Sequence, residues 1–101
     1  MYTDIIQYKL ASGITEETLR EAAREILTSW MQNQPGFVSW QINKLENGDY
    51  VDIVQWDSKD SAKNAEKNMT EIPTDSTWFT CYDTTSISSQ NGTELFHSNQ
   101  V

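Results

Sequence analysis

The stretch NGDYVDIVQWDS, from Asn47 to Ser58, decides the fold of this chain. An Asn-Gly pair between two apolar runs is a strong hairpin signal, because both central residues of a type I′ turn need positive φ. The run Tyr50 to Trp56 alternates as a half-buried strand does, and the run Phe37 to Leu45 before the turn completes the hairpin. At the far end of the stretch, Asp57 or Ser58 is a typical helix N-cap.

A loop made only of Asn47 and Gly48 sets how the two strands pair. Leu45 then faces Tyr50, and every second residue back along the first strand shares that side of the sheet. This side carries both polar and aromatic groups: Ser39, Gln41, Asn43, Tyr50, Asp52, Val54 and Trp56. The opposite side carries Val38, Trp40, Ile42, Lys44, Val51, Ile53 and Gln55. Both predicted faces are therefore partly apolar.

The elements on either side of the hairpin are predicted from their own apolar periodicity. The clearest helix is capped by Thr15, carries an apolar stripe from Leu19 to Met31 and ends at Pro35-Gly36. The other predicted elements are a strand at Ile5 to Leu10, a weak helix with Ala62, Ala65 and Met69, a fourth strand at Phe79 to Ile87, a turn at Asn91-Gly92 and a short terminal strand at Thr93 to Phe96.

Strand–helix–strand occurs twice, which predicts an α+β, ferredoxin-like βαββαβ fold. We expect a four-stranded antiparallel sheet with two helices on one face. Residues 1–97 form one domain, and residues 98–101 form a flexible tail. A second apolar sheet face needs a cover in water, and the same face of a second copy supplies it. The sequence thus predicts a sheet-on-sheet homodimer, the alternative being that bulky residues on this face stay half exposed.

Charge and composition exclude several classes of function. Seven Lys and Arg stand against 15 Asp and Glu, giving a net charge of −8, which is unsuited to nucleic acid. One Cys and one His leave no zinc site, and we predict neither a metal nor another cofactor. No run is long enough to span a membrane, and the start lacks the pattern of a signal peptide. With the single Cys81, this favours a reducing cytoplasm.

The order of elements resembles the dimeric α+β barrel superfamily, in particular the antibiotic biosynthesis monooxygenase-like domains. The matching residues are Pro35-Gly36-Phe37, the stretch Asn47 to Ser58, and Ala62 with Ala65. The resemblance covers Tyr2 to His97. It implies a homodimer, a pocket between helices and sheet, and polycyclic or quinol-like aromatic substrates. Some members cleave haem, but the histidine they carry on the second helix is missing from Asp60 to Met69.

These considerations give a short set of candidate site residues. We predict Trp56, Gln41, Asn43 and Trp78 as substrate-binding residues, because a polar and aromatic wall suits an aromatic ligand with polar groups. Asp52, if burial raises its pKa, and His97, the only histidine, are the weaker catalytic candidates. The alternatives are core packing for the two tryptophans, a partly solvated face for the polar residues, and a surface position for His97.

Three functions remain open at this point. The first is cofactor-independent oxygenation of a small aromatic or quinol-like substrate, in which the protein only orients and deprotonates an electron-rich molecule. The second is a non-catalytic homodimer that binds a small ligand or serves a structural purpose. The third, haem degradation, ranks last because the second helix lacks a histidine.

Overall fold

The computed structural model describes residues 1–98. The six main elements are β1 (Tyr2–Tyr8), α1 (Glu16–Ser29), β2 (Phe37–Lys44), β3 (Tyr50–Trp56), α2 (Lys59–Asn68) and β4 (Ser88–Thr93). All neighbouring strands are antiparallel, in the order β2-β3-β1-β4. The predicted ferredoxin-like βαββαβ fold is confirmed. The predicted tail falls outside the described residues, apart from Ser98.

Both helices begin where side-chain capping predicts. The Thr15 hydroxyl accepts from the Thr18 N–H, and the Ser58 hydroxyl accepts from the Ser61 N–H. Ser58 is therefore the cap of α2. No helix in residues 1–98 has the length and apolar character needed to cross a membrane.

Gly36 fixes the approach of β2 to the start of α2. Its φ is +83°, and a Cβ there would lie 2.3 Å from the Ser61 hydroxyl oxygen. The Gly36 carbonyl also accepts from the Asp57 N–H at 2.8 Å. Only glycine combines this left-handed conformation with so close an approach. The Pro35-Gly36-Phe37 segment therefore has a structural role in positioning α2.

The predicted hairpin register is wrong by one residue. Lys44 pairs with Tyr50, and Ile42 pairs with Asp52. The loop is residues 45–49, because Asn47 does not take the positive φ that a two-residue type I′ turn requires. Gly48 alone does, at φ 91°. One residue of slip moves residues 39–44 of β2 to the opposite sheet face, whereas a bulge between Phe37 and Ser39 leaves Phe37 opposite Trp56.

This register makes the sheet less two-sided than predicted. Trp40 and Ile42 now lie with Val54 and Trp56 on the side that meets the helices. The outer side alternates apolar and polar groups, namely Ile5, Gln7, Ser39, Gln41, Asn43, Val51, Ile53, Gln55 and Gln90. The second face is therefore apolar at Ile5, Val51 and Ile53 but less so than predicted.

The strand predictions at the two ends of the chain also need correction. The first strand is Tyr2–Tyr8 rather than Ile5 to Leu10, and Leu10 makes only an isolated bridge to Tyr82. Residues 79–87, predicted as the fourth strand, form turns, including 3₁₀ segments at Thr77–Thr80 and Thr84–Ser86. Phe79, Cys81 and Tyr82 pack against the core from these turns, whereas Ile87 is exposed. The real fourth strand is Ser88–Thr93, and Asn91-Gly92, predicted as a turn, lies within it. Of the terminal strand predicted at Thr93 to Phe96, only Thr93 is in a strand.

The core beneath the helices divides into two clusters. The Leu19 cluster consists of Tyr8, Leu19, Ala22, Tyr50 and Cys81. The Trp56 cluster consists of Ile26, Trp30, Val54, Trp56, Ala62, Ala65 and Ile72. Trp78 packs against both clusters, with its ring 5.2 Å from that of Trp40 and 5.9 Å from that of Tyr82.

Candidate functional site

A cavity of about 480 Å³ lies between the sheet and the two helices, at the Trp56 cluster. We call it the helix–sheet cavity. The four strands form its floor, the end of α1 and the inner face of α2 form its roof, and Trp78 lies at its edge. The residues that line it include Asp4, Trp30, Trp40, Asp52, Val54, Trp56, Ala62, Lys63, Ala65, Glu66, Ile72, Trp78 and Asn91. Its size suits a small organic ligand.

The cavity exists because α2 presents short side chains to the sheet. The buried residues of this helix are Ala62 and Ala65, and both line the cavity. The alternation of β3 aims Asp52, Val54 and Trp56 at the same space. Alanines opposite these side chains leave a gap that leucines would fill.

Asp52 is the most deeply buried carboxyl of the site, with 4% of its surface exposed. The Tyr8 hydroxyl donates to its Oδ1 at 2.7 Å. Burial raises the pKa of Asp52 to about 6, against the opposing effects of Tyr8 and Trp40. Trp40 lowers the pKa of Asp52 through its nearby indole N–H, although this buried Nε1 forms no hydrogen bond of good geometry. The burial on which a catalytic Asp52 depends is thus present.

A second carboxyl, Asp4, organises the neighbouring part of the wall. Its Oδ2 accepts from Trp56 Nε1 at 3.1 Å. With the Asn91 amide nitrogen turned toward Asp4, Asn91 donates to Oδ1 at 2.9 Å. Burial raises the pKa of Asp4, the Trp56 hydrogen bond opposes the rise, and the nearby Glu66 carboxylate adds to it. Asp4 and Asn91 therefore hold the Trp56 indole in place from two strands.

The structure brings together only part of the predicted site. Asp52, Trp56 and Trp78 all line the helix–sheet cavity. Gln41 and Asn43 lie on the outer side of the sheet, where the Gln41 amide donates to the Asn43 side chain at 3.2 Å. The expectation that they share a face with Asp52 is wrong, because it rested on the two-residue loop.

The remaining predicted candidates lie outside the cavity. His97 follows β4 and contacts Glu94 through Nδ1 at 3.2 Å. Cys81 is fully buried, and its thiol donates to the Thr77 carbonyl at 3.3 Å. Burial raises the pKa of this thiol, which suits a structural cysteine.

Sequence reasoning missed Asp4 and Asn91. Extending the alternation of Ile6 and Tyr8 back by four residues would have placed Asp4 and Tyr2 on the cavity side of β1. Nothing comparable signals Asn91, because its strand contains no apolar residue and Asn-Gly is typical of a turn.

A second recess of about 520 Å³ lies where the C-terminal ends of α1 and α2 meet. It shares Trp30 and Ile72 with the helix–sheet cavity. The Trp30 indole donates to the Asn68 carbonyl and to Glu71 Oε1, both at 3.2 Å, and Asn68 donates to Gln34 at 3.0 Å. The polar groups of this recess are thus hydrogen-bonded to one another. The recess is a structural junction that holds Trp30, and with it one wall of the cavity, in place.

Residues 1–98 hold no group of three or more His, Cys, Asp or Glu side chains arranged to bind a metal ion. Among the described residues, the cavity lining contains no histidine or cysteine, the side chains that most often hold haem iron, although it does contain Tyr2, Met31 and Met69. The carboxyls on its floor, Asp4 and Asp52, oppose the anionic haem propionates. The lining therefore fits haem poorly.

No family model matches the chain. No curated protein matches its sequence either. The likenesses found are to solved structures. SnoaB, a cofactor-independent oxygenase from Streptomyces nogalater, has 18% identity and a TM-score of 0.64, covering 99% of this chain and 94% of its own. The haem degrader MhuD from Mycobacterium tuberculosis, with two haems bound, has 14% identity and a TM-score of 0.67, covering 98% of this chain and 100% of its own.

A third likeness is to a dimeric ferredoxin-like protein from an uncultured marine organism. It has 12% identity and a TM-score of 0.65, covering 99% of this chain and 92% of its own. At identities this low, the structural likenesses show a shared fold and nothing further. The chain has the ferredoxin-like fold of the antibiotic biosynthesis monooxygenase-like proteins, as the resemblance in its sequence predicted.

Proposed function

We propose that the chain binds a small, largely apolar aromatic molecule in the helix–sheet cavity and oxygenates it without a metal or flavin. Asp52 is the general base. The observation that carries the proposal is this buried carboxyl, of pKa about 6, in the wall of a tryptophan-lined cavity. A base of that strength is suited to take a phenolic proton near neutral pH. The likeness to a cofactor-independent oxygenase supports the same chemistry.

The reaction needs no added reductant when the substrate is electron-rich. Asp52 removes the hydroxyl proton of the phenol, and the resulting anion carries negative charge on a ring CH carbon, which is the methylene carbon of the keto tautomer. O₂ takes up electrons from that carbon and forms a C–O bond, and the peroxide so formed takes the proton back from Asp52. The remaining C–H bond and the O–O bond then break, so that one oxygen atom stays as a carbonyl and the other leaves as water. The overall change, R₂CH₂ + O₂ → R₂C=O + H₂O, is balanced, with all electrons drawn from the substrate.

The tryptophans orient the substrate in this proposal. Trp56 is a rigid wall because Asp4 holds its indole N–H. Trp78, at the cavity edge, is half-buried and packs edge-to-face on Trp40. Flat aromatic walls restrict a planar ligand to few orientations, which helps to place its reacting carbon beside Asp52.

The test is oxygen uptake with a panel of hydroquinones and phenols. We expect Asp52→Asn to lower kcat/KM by about 10²–10⁴-fold, the usual contribution of a general base. Trp56→Phe, which keeps the ring but loses the bond to Asp4, should mainly raise KM. Asp75→Asn is the matched control, because Asp75 is an exposed loop carboxylate outside the cavity.

Two outcomes contradict the proposal in different ways. Uptake that Asp52→Asn leaves unchanged overturns the assignment of the base. Ligand binding by calorimetry without any oxygen uptake overturns the catalysis and leaves the non-catalytic ligand-binding function. Haem titration addresses the third function, and we expect no shift of the Soret band because the cavity fits haem poorly.

We also propose that two copies form a homodimer. Support comes from the dimeric ferredoxin-like neighbour and from two large apolar side chains just after β4, Leu95 and Phe96, which are 98% and 84% exposed. Burying each would contribute about 1.5–3 kcal/mol. Light scattering should report twice the 11.6 kDa monomer mass, and a Leu95→Ser, Phe96→Ser variant should report one monomer. A wild-type monomer at micromolar concentration would overturn this.

The domain and its location complete the proposal. Residues 1–97 form the single functional domain, and the protein acts in the cytoplasm. The Cys81 thiol is buried and forms no disulfide within residues 1–98, which supports a reducing compartment.

A further inference from the structure

The charged side chains around the helix–sheet cavity are unevenly distributed. Within residues 1–98, its lining contains three carboxyls, on Asp4, Asp52 and Glu66, and one ammonium, on Lys63. Asp52 is buried and Asp4 half-buried, both on the sheet floor. Lys63 and Glu66 are exposed on α2, at the mouth of the cavity. A ligand that reaches the floor therefore meets carboxyls there and no cation from the cavity lining.

The Asp52 carboxyl has one oxygen to offer a ligand. The Tyr8 hydroxyl occupies Oδ1, and within residues 1–98 no group donates to Oδ2 at hydrogen-bond geometry. Oδ2 is also not among the fully buried atoms that lack a partner, of which Trp40 Nε1 is the only described case. Oδ2 is therefore accessible from the cavity that Asp52 lines. The nearby Trp40 Nε1 does not reach it at hydrogen-bond geometry, so Oδ2 is an acceptor that a donor in the cavity can use.

Tyr8 cannot compensate for this negative potential. Burial and the Asp52 carboxylate raise the pKa of its phenol, so the hydroxyl stays neutral. At Asp4, the donors Trp56 and Asn91 already occupy both carboxyl oxygens. What remains for a ligand is an acceptor at Asp52 in an acidic, poorly hydrated setting, where like charges repel more strongly than in water.

We infer that the helix–sheet cavity selects aromatic ligands bearing a hydrogen-bond donor, a hydroxyl or an ammonium, and rejects aromatic carboxylates. This inference rests on the proposed function, because it takes the cavity as the ligand site and names the class of ligand. A donor satisfies Asp52 Oδ2, whereas a carboxylate brings a third negative charge against Asp4 and Asp52. Like-charge contacts of this kind are a general source of specificity.

Four naphthalene compounds substituted at the same ring position test this by isothermal titration calorimetry at pH 7.5. They are naphthol, naphthylmethylammonium, methoxynaphthalene without a donor, and naphthoate. We expect naphthoate to bind at least about tenfold more weakly than naphthol, and methoxynaphthalene to lie between them. The difference should persist at high salt, where repulsion from the net charge of −8 is screened.

Asp52→Asn assigns the selectivity to the cavity, because it removes the charge and keeps an acceptor for Tyr8. We expect the penalty on naphthoate to shrink by about tenfold, with methoxynaphthalene affinity within about twofold of wild type. Asp75→Asn should change none of the four affinities. Equal binding of naphthoate and naphthol, or unchanged discrimination in Asp52→Asn, overturns this inference while ligand binding stands. Failure of all four compounds to bind overturns the ligand site itself, and this inference with it.

Discussion

The two core clusters share one sheet and differ in what the helices lay upon it. In the Leu19 cluster, α1 packs Leu19 and Ala22 close to Tyr8 and Tyr50, whose ring centroids are 6.2 Å apart. In the Trp56 cluster, α2 contributes only alanines, and a cavity remains beside the indoles. The comparison shows how one fold separates stability from ligand binding: large apolar side chains close one half, and short ones keep the other half open.

The largest effect we expect on stability is from Leu19→Ala, in the closed half. Leu19 is almost fully buried, so truncation should lower the free energy of unfolding by about 3 kcal/mol. Naphthol affinity should stay within about twofold, because Leu19 does not line the helix–sheet cavity. Urea denaturation and a binding titration measure the two quantities. A parallel fall in affinity would show that the halves are not independent.

Helix α1, which supplies Leu19 and Ala22 to the closed half, was the easiest element to predict from sequence. The stripe from Leu19 to Met31 has a helical period, and Thr15 marks the start of α1, so pattern and capping indicate the same element. These are local signals in which each residue type matches its position. Trp56 and Asp52 were found for the same reason, since they follow the strand and turn pattern of residues 47–58. Trp78 follows no such pattern and was proposed only as an aromatic residue next to the predicted fourth strand.

The rest of the site depends on features that the sequence pattern does not carry. The backbone conformation of Asn47 sets the register of β2, and a one-residue error sent Gln41 and Asn43 to the wrong face. Asn91 lies on an exposed edge strand that β1 hydrogen bonds hold in place without an apolar pattern. The cavity itself is a property of unfilled space, which follows from tertiary packing.

The second largest expected effect on stability is at Asp52, whose buried carboxylate destabilises the open half near neutral pH. A folded-state pKa of about 6 against a usual 3.8 means that the folded protein binds the proton more tightly than the unfolded chain. Protonation of Asp52 therefore stabilises the folded state. This stabilisation is complete below about pH 4 and is lost as the pH rises through about 6. We expect Asp52→Asn to be more stable than wild type at pH 7.5, on the order of 2–3 kcal/mol.

Chemical denaturation between pH 4 and 7.5 checks this prediction. The gain from Asp52→Asn should shrink to below about 1 kcal/mol at pH 4, where the wild-type carboxyl is protonated in the folded state and nearly half protonated in the unfolded chain. Asp75→Asn, on the exposed loop, should follow the wild-type profile. A pH-independent gain would mean that the amide packs better, and would contradict the raised pKa. A stabilised variant that has lost activity would show a site residue retained at the expense of stability.

The same substitution made in both halves tests the comparison directly. Ala22 and Ala65 are equally buried, at 3% and 2% exposure, but only Ala65 lines the helix–sheet cavity. Ala22→Leu should therefore overpack the closed half and cost about 1–2 kcal/mol. Ala65→Leu should cost less, because its side chain enters existing space, and should weaken naphthol binding at least about tenfold. Denaturation and calorimetry separate the two cases. An equal loss of stability in Ala22→Leu and Ala65→Leu would mean that the cavity wall is too rigid to accept the added atoms.

The smallest expected effect lies at the boundary, where Trp78 contacts both halves. Its edge-to-face contact with Trp40 should give a coupling energy of about 1 kcal/mol in a double-mutant cycle using Trp40→Leu and Trp78→Leu. Both variants should also weaken naphthol binding, since both rings line the cavity. Tyr82→Leu removes the other ring contact of Trp78 but lies outside the lining, so it should lower stability without changing affinity. Equal losses of affinity in all three variants would place the boundary between the halves beyond Trp78, and the Leu19 cluster would then take part in ligand binding.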